Sequence, residues 1–360
     1  MGEFLDHPYI RGAGVTKIPI VLFGFGNVGH ALARLIEQKD GFAISGKVLT
    51  LVAVFDRGGI VAEGELSCDE LVRTETQKGT LAEYPVLGKP GLTVAEVLAN
   101  HPGAILVDAT PTDPETGEPG LSLVRHAIER GHSVVMASKG PLVASFEDLM
   151  NLARTRGTRI GFSAAVGIPL PSLETVLVGL HGCTLRGFRG LFNETSNRIL
   201  RAMEAGVSYD DAIEEAHKAG VLETDPRLDL EGWDTAFKVL ILARSFWDPK
   251  ASYDPSSIKG ITEISAEEVA EATKRGQRIR LLGGAELSSS GDIEIRVEPV
   301  RLESLDPLFA LEAGEKGAVF DTDLMGRLVI RSGKAGPFAT AAAIVKDILN
   351  IVDHPPHLAV

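Results

Sequence analysis

The amino-acid sequence predicts an α/β fold in which a doubly wound parallel sheet is followed by a second domain of the α+β type. Buried strands alternate with amphipathic helices from residue 18 to about residue 138, and a glycine-rich turn joins the first strand to the first helix. A strictly alternating segment at 292–298 instead has the pattern of a strand with one face in solvent. Because alternating strands and helices form right-handed βαβ units, the first part of the chain is predicted to contain the parallel sheet.

The elements of the first part follow from its hydrophobic pattern. A continuous apolar run predicts a buried strand at Ile18–Phe23, and three largely apolar runs predict further strands at Val48–Phe55, Ala104–Ala109 and His132–Ala137. Apolar residues at helical spacing predict helices over Asn27–Gln38, Leu121–Arg130 and Ser145–Arg156. The third helix begins with a pattern that resembles a capping box and ends before Gly157.

The pattern changes after about residue 150. Helices are predicted over Glu194–Ala205, Ser208–Ala219 and Trp233–Phe246, a strand over Asp292–Glu298, and a last helix over Ala339–Ile351. We therefore expect one domain over residues 1–150, completed by a C-terminal helix at 336–352. The second domain, at 151–335, is expected to be built on a partly antiparallel sheet.

The composition is that of an ordinary globular protein and limits the possible partners. The 360 residues include 36 Lys or Arg and 49 Asp or Glu, which gives a formal net charge of −13. This charge argues against nucleic acid or an anionic membrane as the main partner. The sequence pattern leads us to expect neither a signal peptide nor a membrane span. Two cysteines, Cys68 and Cys183, fit a reducing compartment. We expect a soluble, cytoplasmic protein that acts on a small molecule.

The turn after the first strand reads Gly24-Phe25-Gly26-Asn27-Val28-Gly29. Between a strand and a helix, the first glycine of this pattern permits a tight turn and the second lets the backbone approach a pyrophosphate. The third lets the helix pack closely on the strand, and the amides at the helix N-terminus then face the anion. The sequence therefore predicts a Rossmann-type dinucleotide site in residues 1–150.

Residues at the ends of the next strands are candidates for cofactor contacts. Asp56 ends the second strand and could accept the ribose hydroxyls of NAD, whereas the neighbouring Arg57 could pair with the 2′-phosphate of NADP. The choice between the two cofactors stays open. Thr110 and Lys139 end the third and fourth strands, at the edge where sheets of this kind bind ligands. The alternative for each of these residues is an ordinary turn or solvent-exposed position.

An acidic cluster with one lysine lies between Gly220 and Lys238. Asp234 and Lys238 are four residues apart and share a helix face whose next turn is apolar, so the ammonium is expected to be partly desolvated. Such an ammonium can act as an acid towards a carbonyl oxygen, and Glu223, Asp229 and Asp234 could bind a substrate ammonium group. The alternative is structural, with Asp229 as a helix N-cap and Asp234–Lys238 as a helical ion pair.

Other reaction classes have less support. The nine histidines show no paired spacing for a catalytic zinc, and the chain has no Gly-x-Ser-x-Gly elbow. Cys183 is expected at the start of a strand, where buried packing is favoured over catalysis by a thiolate.

Five segments, in this order along almost the whole chain, resemble the homoserine dehydrogenase family, especially its short forms without a C-terminal regulatory domain. They are Gly24–Gly29, Val134–Val143, Leu191–Leu200, Glu223–Lys238 and Gly333–Thr340. The resemblance implies reversible hydride transfer between aspartate 4-semialdehyde and homoserine with NADPH or NADH, in threonine and methionine biosynthesis. It also implies a homodimer formed through the second domain.

The resemblance further implies a role for each matching residue. Lys238 falls on the catalytic lysine, and Lys139 on a second lysine that bridges cofactor and substrate. Positions that bind the substrate or orient the lysine fall on Glu223, Asp229 and Asp234. Cofactor contacts fall on Thr110, Gly336 and, for a 2′-phosphate, Arg57.

Three positions depart from the family's pattern. The segment that binds sodium in the family, Glu-Ala-Thr-Val-Gly-Gly-Gly-Ile-Pro, is here the shorter Ser163-Ala164-Ala165-Val166-Gly167-Ile168-Pro169, without the acid. Glu194 replaces the glycine of the motif Asn-Gly-Thr-Thr-Asn, and Ser138 stands where Asn is common. No metal site is therefore expected, and another small hydroxy acid is an alternative substrate.

Two further alternatives concern the class of protein. A noncatalytic NAD(P)-binding sensor would need neither the two lysines nor the acidic cluster, which argues against it. A phosphorylating semialdehyde dehydrogenase would need an active-site thiolate, so full activity of a Cys183→Ala variant would exclude it.

Overall fold

The computed structural model describes residues 16–39, 46–56, 59–62, 66–111, 113–218, 226–333 and 335–353. The chain forms two compact units. The first runs to Ala164 and takes up the chain again from Pro337, and the second comprises Ala165–Gly336. The first unit thus extends beyond residue 150, because the strand at Ile160–Gly161 pairs with its sheet.

A six-stranded sheet lies at the centre of the first unit. Its strands are β1 (Thr16–Phe23), β2 (Lys47–Phe55), β3 (Ile60–Ala62), β4 (Ile105–Asp108), β5 (Val134–Met136) and β6 (Ile160–Gly161). Their order is β3-β2-β1-β4-β5-β6, with β2–β3 antiparallel and every other pair parallel. The predicted doubly wound sheet is confirmed. The antiparallel edge strand is too short to leave a pattern in the sequence.

Helices flank this sheet. They are α1 (Asn27–Gln38), α2 (Cys68–Lys78), α3 (Val94–Asn100), α4 (Gly120–Glu129), α5 (Gly140–Arg156) and the C-terminal helix α12 (Pro337–Asp353). The sequence does not predict α2, because only three of its residues are buried and its apolar spacing is weak. Helix α5 begins at Gly140 rather than at the expected Ser145, and Ser145 interrupts it with φ −150° and ψ 42°.

The C-terminal helix contributes to the core of the first unit. Ile344 and Ile348 of α12 are fully buried in the same cluster as Leu22 of β1 and Leu32 of α1. Helix α12 therefore packs against α1, although the two helices lie at opposite ends of the chain.

The second unit is built on a five-stranded sheet. Its strands are β7 (Leu185–Leu191), β8 (Arg278–Leu287), β9 (Ile293–Leu302), β10 (Gly317–Thr322) and β11 (Arg327–Arg331). Their order is β11-β10-β7-β8-β9, and within the described residues every neighbouring pair is antiparallel, not only some as expected. The helices are α6 (Ser172–Glu174), α7 (Glu194–Glu204), α8 (Tyr209–Lys218), α9 (Arg227–Leu230), α10 (Trp233–Phe246) and α11 (Ala266–Lys274).

Strand β8 is absent from the sequence-based prediction because it contains Gly283-Gly284, a pair typical of turns. A Cβ atom on Gly283 would lie 2.4 Å from Cγ2 of Thr235 in α10. A Cβ atom on Gly284 would lie 2.6 Å from the carbonyl oxygen of Phe188 in β7. The two glycines therefore let α10 and β7 approach β8 closely.

Within the part of the chain that the structure describes, no helix has both the length and the apolar character that crossing a membrane requires.

Candidate functional site

The turn between β1 and α1 has the geometry that its three glycines predict. Gly24 has φ +97°, and its N–H donates to the carbonyl oxygen of Phe55 at 3.0 Å. A Cβ on Gly24 would lie 2.5 Å from the carbonyl oxygen of Ala109, and a Cβ on Gly29 would lie 2.5 Å from that of Gly24. Nothing lies within 4 Å of the Cβ position of Gly26. Two of the glycines are thus required by packing, and the third borders open space.

The N-terminus of α1 is suited to an anion. Gly26 is its N-cap, no side chain caps the first amides, and the first turn, which begins with Asn27 and Val28, holds no acidic residue. Phe25 is buried, with its ring centroid 4.5 Å from that of His30. An uncapped helix N-terminus presents unpaired N–H groups and the positive end of the helix dipole to a phosphate. The turn therefore fits the pyrophosphate of a dinucleotide.

The Asp56 carboxylate holds the loops beyond β2. One oxygen accepts the N–H of Gly59 at 2.5 Å, and the other accepts the N–H of Leu81 at 2.6 Å. Arg57, the competing candidate, lies outside the described residues. The choice between NAD and NADP therefore stays open.

A buried carboxylate at the end of β4 organises the next part of this edge. Asp108 is fully buried, and its Oδ1 accepts the N–H of Thr110 at 3.0 Å and the hydroxyl of Thr110 at 2.6 Å. Its Oδ2 accepts the hydroxyl of Ser138. Burial raises the pKa of the Asp108 carboxyl, and these hydrogen bonds act in the opposite direction. Asp108 thereby ties the end of β4 to the end of β5.

Two other predicted cofactor contacts lie at the starts of helices. Lys139 follows Ser138 and is the N-cap residue of α5, and its carbonyl oxygen accepts the N–H of Val143 at 2.9 Å. Gly336 directly precedes α12.

The acidic cluster of the second unit converges on one side-chain amide. Asn193 donates through Nδ2 to Oδ1 of Asp229 at 2.6 Å and to Oδ2 of Asp234 at 2.8 Å. Its Oδ1 accepts the N–H of Ser196, which makes Asn193 the N-cap of α7. Helix α10 supplies Asp234 in its first turn, and the short helix α9 supplies Asp229. One residue therefore fixes the positions of two carboxylates from separate elements.

Lys238 completes this network. Its Nζ donates to Oδ2 of Asp234 at 2.5 Å and to the backbone carbonyl oxygen of Phe192 at 2.9 Å. The side chains of Lys238 and Asp234 are only 12% and 14% exposed. A helical ion pair on the surface contributes about 0.3–0.5 kcal/mol, whereas removing one partner of a buried pair costs about 3–5 kcal/mol. The expectation of a lysine that is partly withdrawn from water matches this geometry.

The N-cap alternative for Asp229 is wrong: Asp229 lies inside α9, and the N-cap of the predicted helix Trp233–Phe246 is Gly232. The carbonyl oxygen of Asp229 instead accepts the hydroxyl of Ser196 at 2.6 Å. Glu223 lies outside the described residues.

Sequence reasoning missed Asn193 and Asp108. Asn193 has a visible signal: it directly precedes the predicted helix Glu194–Ala205, at the N-cap position where Asn is favoured. Asp108 is the single acid at the end of the apolar run Ile105-Leu106-Val107. An acid in a continuous buried strand requires hydrogen-bond partners, but the sequence does not say which residues supply them.

The departures from the family's pattern have local partners. Glu194 pairs with Arg198 one turn later in α7, with 3.0 Å between oxygen and nitrogen. Ser163 donates to Asp347 through its N–H at 2.8 Å and its hydroxyl at 2.7 Å. The Ser138 hydroxyl donates to Oδ2 of Asp108. No group of three or more His, Cys, Asp or Glu side chains suited to a metal ion occurs among the residues with described positions.

The two cysteines differ in environment. Cys68 is buried, and burial raises the pKa of its thiol to about 11. Cys183 is partly exposed and lies in a bend before β7, not within the strand as expected.

Comparisons with known sequences agree with one another. The sequence model of the family described as homoserine dehydrogenase matches residues 171–349 of this chain. A relative from Pseudomonas canavaninivorans, named NAD(+)-dependent homoserine dehydrogenase, is 33% identical over 94% of this chain and 97% of its own length. A homoserine dehydrogenase from Methanocaldococcus jannaschii is 31% identical over 92% of this chain and 98% of its own.

Solved structures give the same result. A putative homoserine dehydrogenase from Archaeoglobus fulgidus superposes with a TM-score of 0.79 and 30% identity, covering 93% of this chain and 99% of that one. A hyperthermophilic archaeal homoserine dehydrogenase in complex with NADPH has a TM-score of 0.76 and 28% identity, covering 94% and 98%. The similarity therefore extends over both units.

Proposed function

This chain belongs to the homoserine dehydrogenase family, and we propose that it interconverts homoserine and aspartate 4-semialdehyde with Lys238 as the general acid and base. The observation that carries this proposal is the hydrogen-bonded network of Asn193, Asp229, Asp234 and Lys238. It brings a desolvated ammonium and two carboxylates together in one unit. A substrate amino acid with a reacting hydroxyl or aldehyde needs an ammonium near the reacting oxygen and carboxylates near its own amino group.

Lys238 would transfer the proton at the reacting oxygen. An ammonium group has three N–H donors, and two of them are used by Asp234 and the carbonyl oxygen of Phe192. The third can donate to the aldehyde oxygen of the semialdehyde during reduction, and the neutral amine can take up the hydroxyl proton of homoserine during oxidation. A bound nicotinamide would supply the hydride acceptor for oxidation and the hydride donor for reduction.

The carboxylates would bind the amino group of the substrate. Asp229 and Asp234 each accept one N–H of Asn193, and carboxylate oxygens are the acceptors that the N–H donors of a substrate ammonium require. By the same chemistry we assign Glu223 to this function.

The first unit would hold the dinucleotide. The Gly24–Gly29 turn and the uncapped N-terminus of α1 would bind its pyrophosphate, since a Cβ at Gly26 would occupy open space. Thr110, Lys139 and Gly336 would contact the same cofactor. Asp56 would favour NAD and Arg57 NADP. We further propose that the protein is a cytoplasmic homodimer and that it serves threonine and methionine biosynthesis.

The test is the absorbance at 340 nm of the purified protein with homoserine and either NAD⁺ or NADP⁺, in parallel. We expect an increase that depends on homoserine with at least one cofactor, and the cofactor with the faster rate identifies the preference. A matched reaction with another small hydroxy acid, such as lactate, should remain flat. Cofactor binding in a thermal shift without any oxidation of homoserine would contradict the proposed substrate.

A further inference from the structure

We propose that Lys316 supplies, from within the chain, the positive charge that a sodium ion brings to the corresponding segment elsewhere in the family, so that this protein needs no bound monovalent cation. Lys316 is then a positioning residue for Lys238. The inference rests on the proposed function only for its rate measurements.

The residues of the segment do not fit a sodium ion. Ser163 stands in place of the acid, and both its N–H and its hydroxyl donate to Asp347. Sodium, like other hard cations, is bound by oxygen atoms that direct lone pairs at it, and a carboxylate is the strongest of these ligands. The segment has lost that carboxylate, and its own remaining oxygen ligands are backbone carbonyl oxygens and the Ser163 hydroxyl, which already donates to Asp347.

One of these carbonyl oxygens is already occupied by a cationic side chain. Lys316 directly precedes β10 and is 8% exposed, and its Nζ donates to the carbonyl oxygen of Ile168 at 2.7 Å. Its backbone is fixed by Ser332, whose N–H donates to the carbonyl oxygen of Lys316 at 3.0 Å. A second cation beside this buried ammonium would be repelled, and the repulsion is strong where water is excluded. Lys316 therefore takes the place that an ion would otherwise have.

The segment held by Lys316 leads directly to the proposed catalytic lysine. Gly167 precedes Ile168 and has φ +82°, and a Cβ on it would lie 2.9 Å from Cδ1 of Phe192. The carbonyl oxygen of the same Phe192 accepts a hydrogen bond from Lys238 at 2.9 Å. Fixing the Ile168 carbonyl thus fixes the backbone against which Phe192 packs, and Phe192 in turn orients the Lys238 ammonium.

The first test is the ion dependence of the unaltered protein. We would measure its melting temperature and its rate of homoserine oxidation in NaCl, KCl and choline chloride at one ionic strength. We expect the same melting temperature in all three salts and rates within about twofold of one another. A saturable increase in either quantity with Na⁺ or K⁺, relative to choline, would overturn the proposal.

The second test uses two variants that differ in the space they leave. Lys316→Ala should lower the melting temperature by about 3–6 °C in choline chloride, since a buried hydrogen bond is lost, and should lower kcat more than it changes KM for homoserine. Ammonium or Na⁺ should restore both, because a cation can enter the vacated space. Lys316→Met fills that space without a charge and should not be rescued. Lys274→Ala, on the exposed end of α11, is the control and should behave as the unaltered protein.

Two results would contradict this inference: Lys316→Ala matching the unaltered protein in choline, or a loss that no cation restores. If Lys316→Ala does not fold, the ion series on the unaltered protein decides. The melting measurements need neither homoserine nor a cofactor. An inactive but cation-independent protein would therefore contradict the proposed function and leave this inference standing.

Discussion

At the scale of single residues, the amide of Asn193 explains how two carboxylates and a lysine occupy a partly buried site. One N–H of this amide donates to Asp229 and the other donates to Oδ2 of Asp234. The same Oδ2 also accepts a hydrogen bond from Lys238. Charge-assisted hydrogen bonds of this kind are stronger than neutral ones, so they offset the repulsion between the two acids. The network positions its charges before any substrate binds.

Lys238→Ala should therefore reduce turnover far more than it affects cofactor binding. We expect kcat for homoserine oxidation to fall by about 10²–10⁴, the usual contribution of general acid–base catalysis. The Kd of NAD⁺ or NADP⁺, measured by fluorescence or calorimetry, should stay unchanged because the Gly24–Gly29 turn belongs to the other unit.

The matched control for this prediction is Lys218→Ala. Lys218 forms the same i, i+4 pair, with Glu214 at 2.6 Å, but both side chains are mostly exposed. We expect its turnover to be normal. Near-normal turnover of Lys238→Ala would remove Lys238 from the mechanism.

At the scale of elements, the turn between β1 and α1 separates structural glycines from a binding glycine. Gly24 has a left-handed backbone conformation and no room for a Cβ beside Ala109, whereas Gly26 has an ordinary φ of −96° and open space around it. The sequence motif assigns the first glycine to the tight turn and the second to the approach of a pyrophosphate. The geometry agrees with this division, so a side chain at each position should be unfavourable for a different physical reason.

Gly26→Ala should therefore leave the fold intact and weaken cofactor binding. We expect the free energy of unfolding to change by no more than about 0.5 kcal/mol, because the new methyl group meets nothing in the protein. The Kd of the dinucleotide should rise about tenfold or more, because the methyl group occupies the space proposed for the pyrophosphate.

Gly24→Ala is the contrasting variant. A Cβ at 2.5 Å from a backbone oxygen, on a residue with φ +97°, should destabilise the first unit by more than about 1 kcal/mol. Thermal denaturation followed by circular dichroism distinguishes the two variants. Equal melting temperatures for Gly24→Ala and Gly26→Ala would contradict this account of the turn.

At the scale of the whole molecule, the first unit is assembled from both ends of the chain. Helix α12 places Ile344 and Ile348 in the core that also contains Leu22 and Leu32. The stability of the first unit therefore depends on residues that follow the entire second unit in sequence.

Ile348→Ala should destabilise the first unit by about 2–5 kcal/mol, the usual cost of a cavity at a fully buried isoleucine. Phe338→Ala, at a 48% exposed position of the same helix, is the control and should cost less than about 1 kcal/mol. Circular dichroism melting measures both.

Tryptophan fluorescence adds a second measurement for these variants. The two tryptophans, Trp233 and Trp247, both lie in the second unit, so their emission at 25 °C should not change in Ile348→Ala. Equal melting temperatures for Ile348→Ala and Phe338→Ala would show that α12 does not stabilise the first unit.

The sequence by itself determined the elements whose pattern is local. Helices Asn27–Gln38 and Trp233–Phe246 have the predicted bounds, and the order of strands and helices around Gly24–Gly29 predicted the parallel sheet. It also placed Asp234 and Lys238 on one helix face. Each of these features depends on residues a few positions apart, and short-range spacing is what a sequence records directly.

Only the tertiary structure decided which distant groups meet. Strand β8 passes through Gly283-Gly284 because α10 and β7 approach it, and Asn193 bridges acids that lie about forty residues further along the chain. The hydrogen-bond partners of Asp108 and Lys316 also could not be predicted from the sequence. A buried polar group must find a partner, but many donors and acceptors satisfy that need equally well, and the packing of the chain alone selects among them.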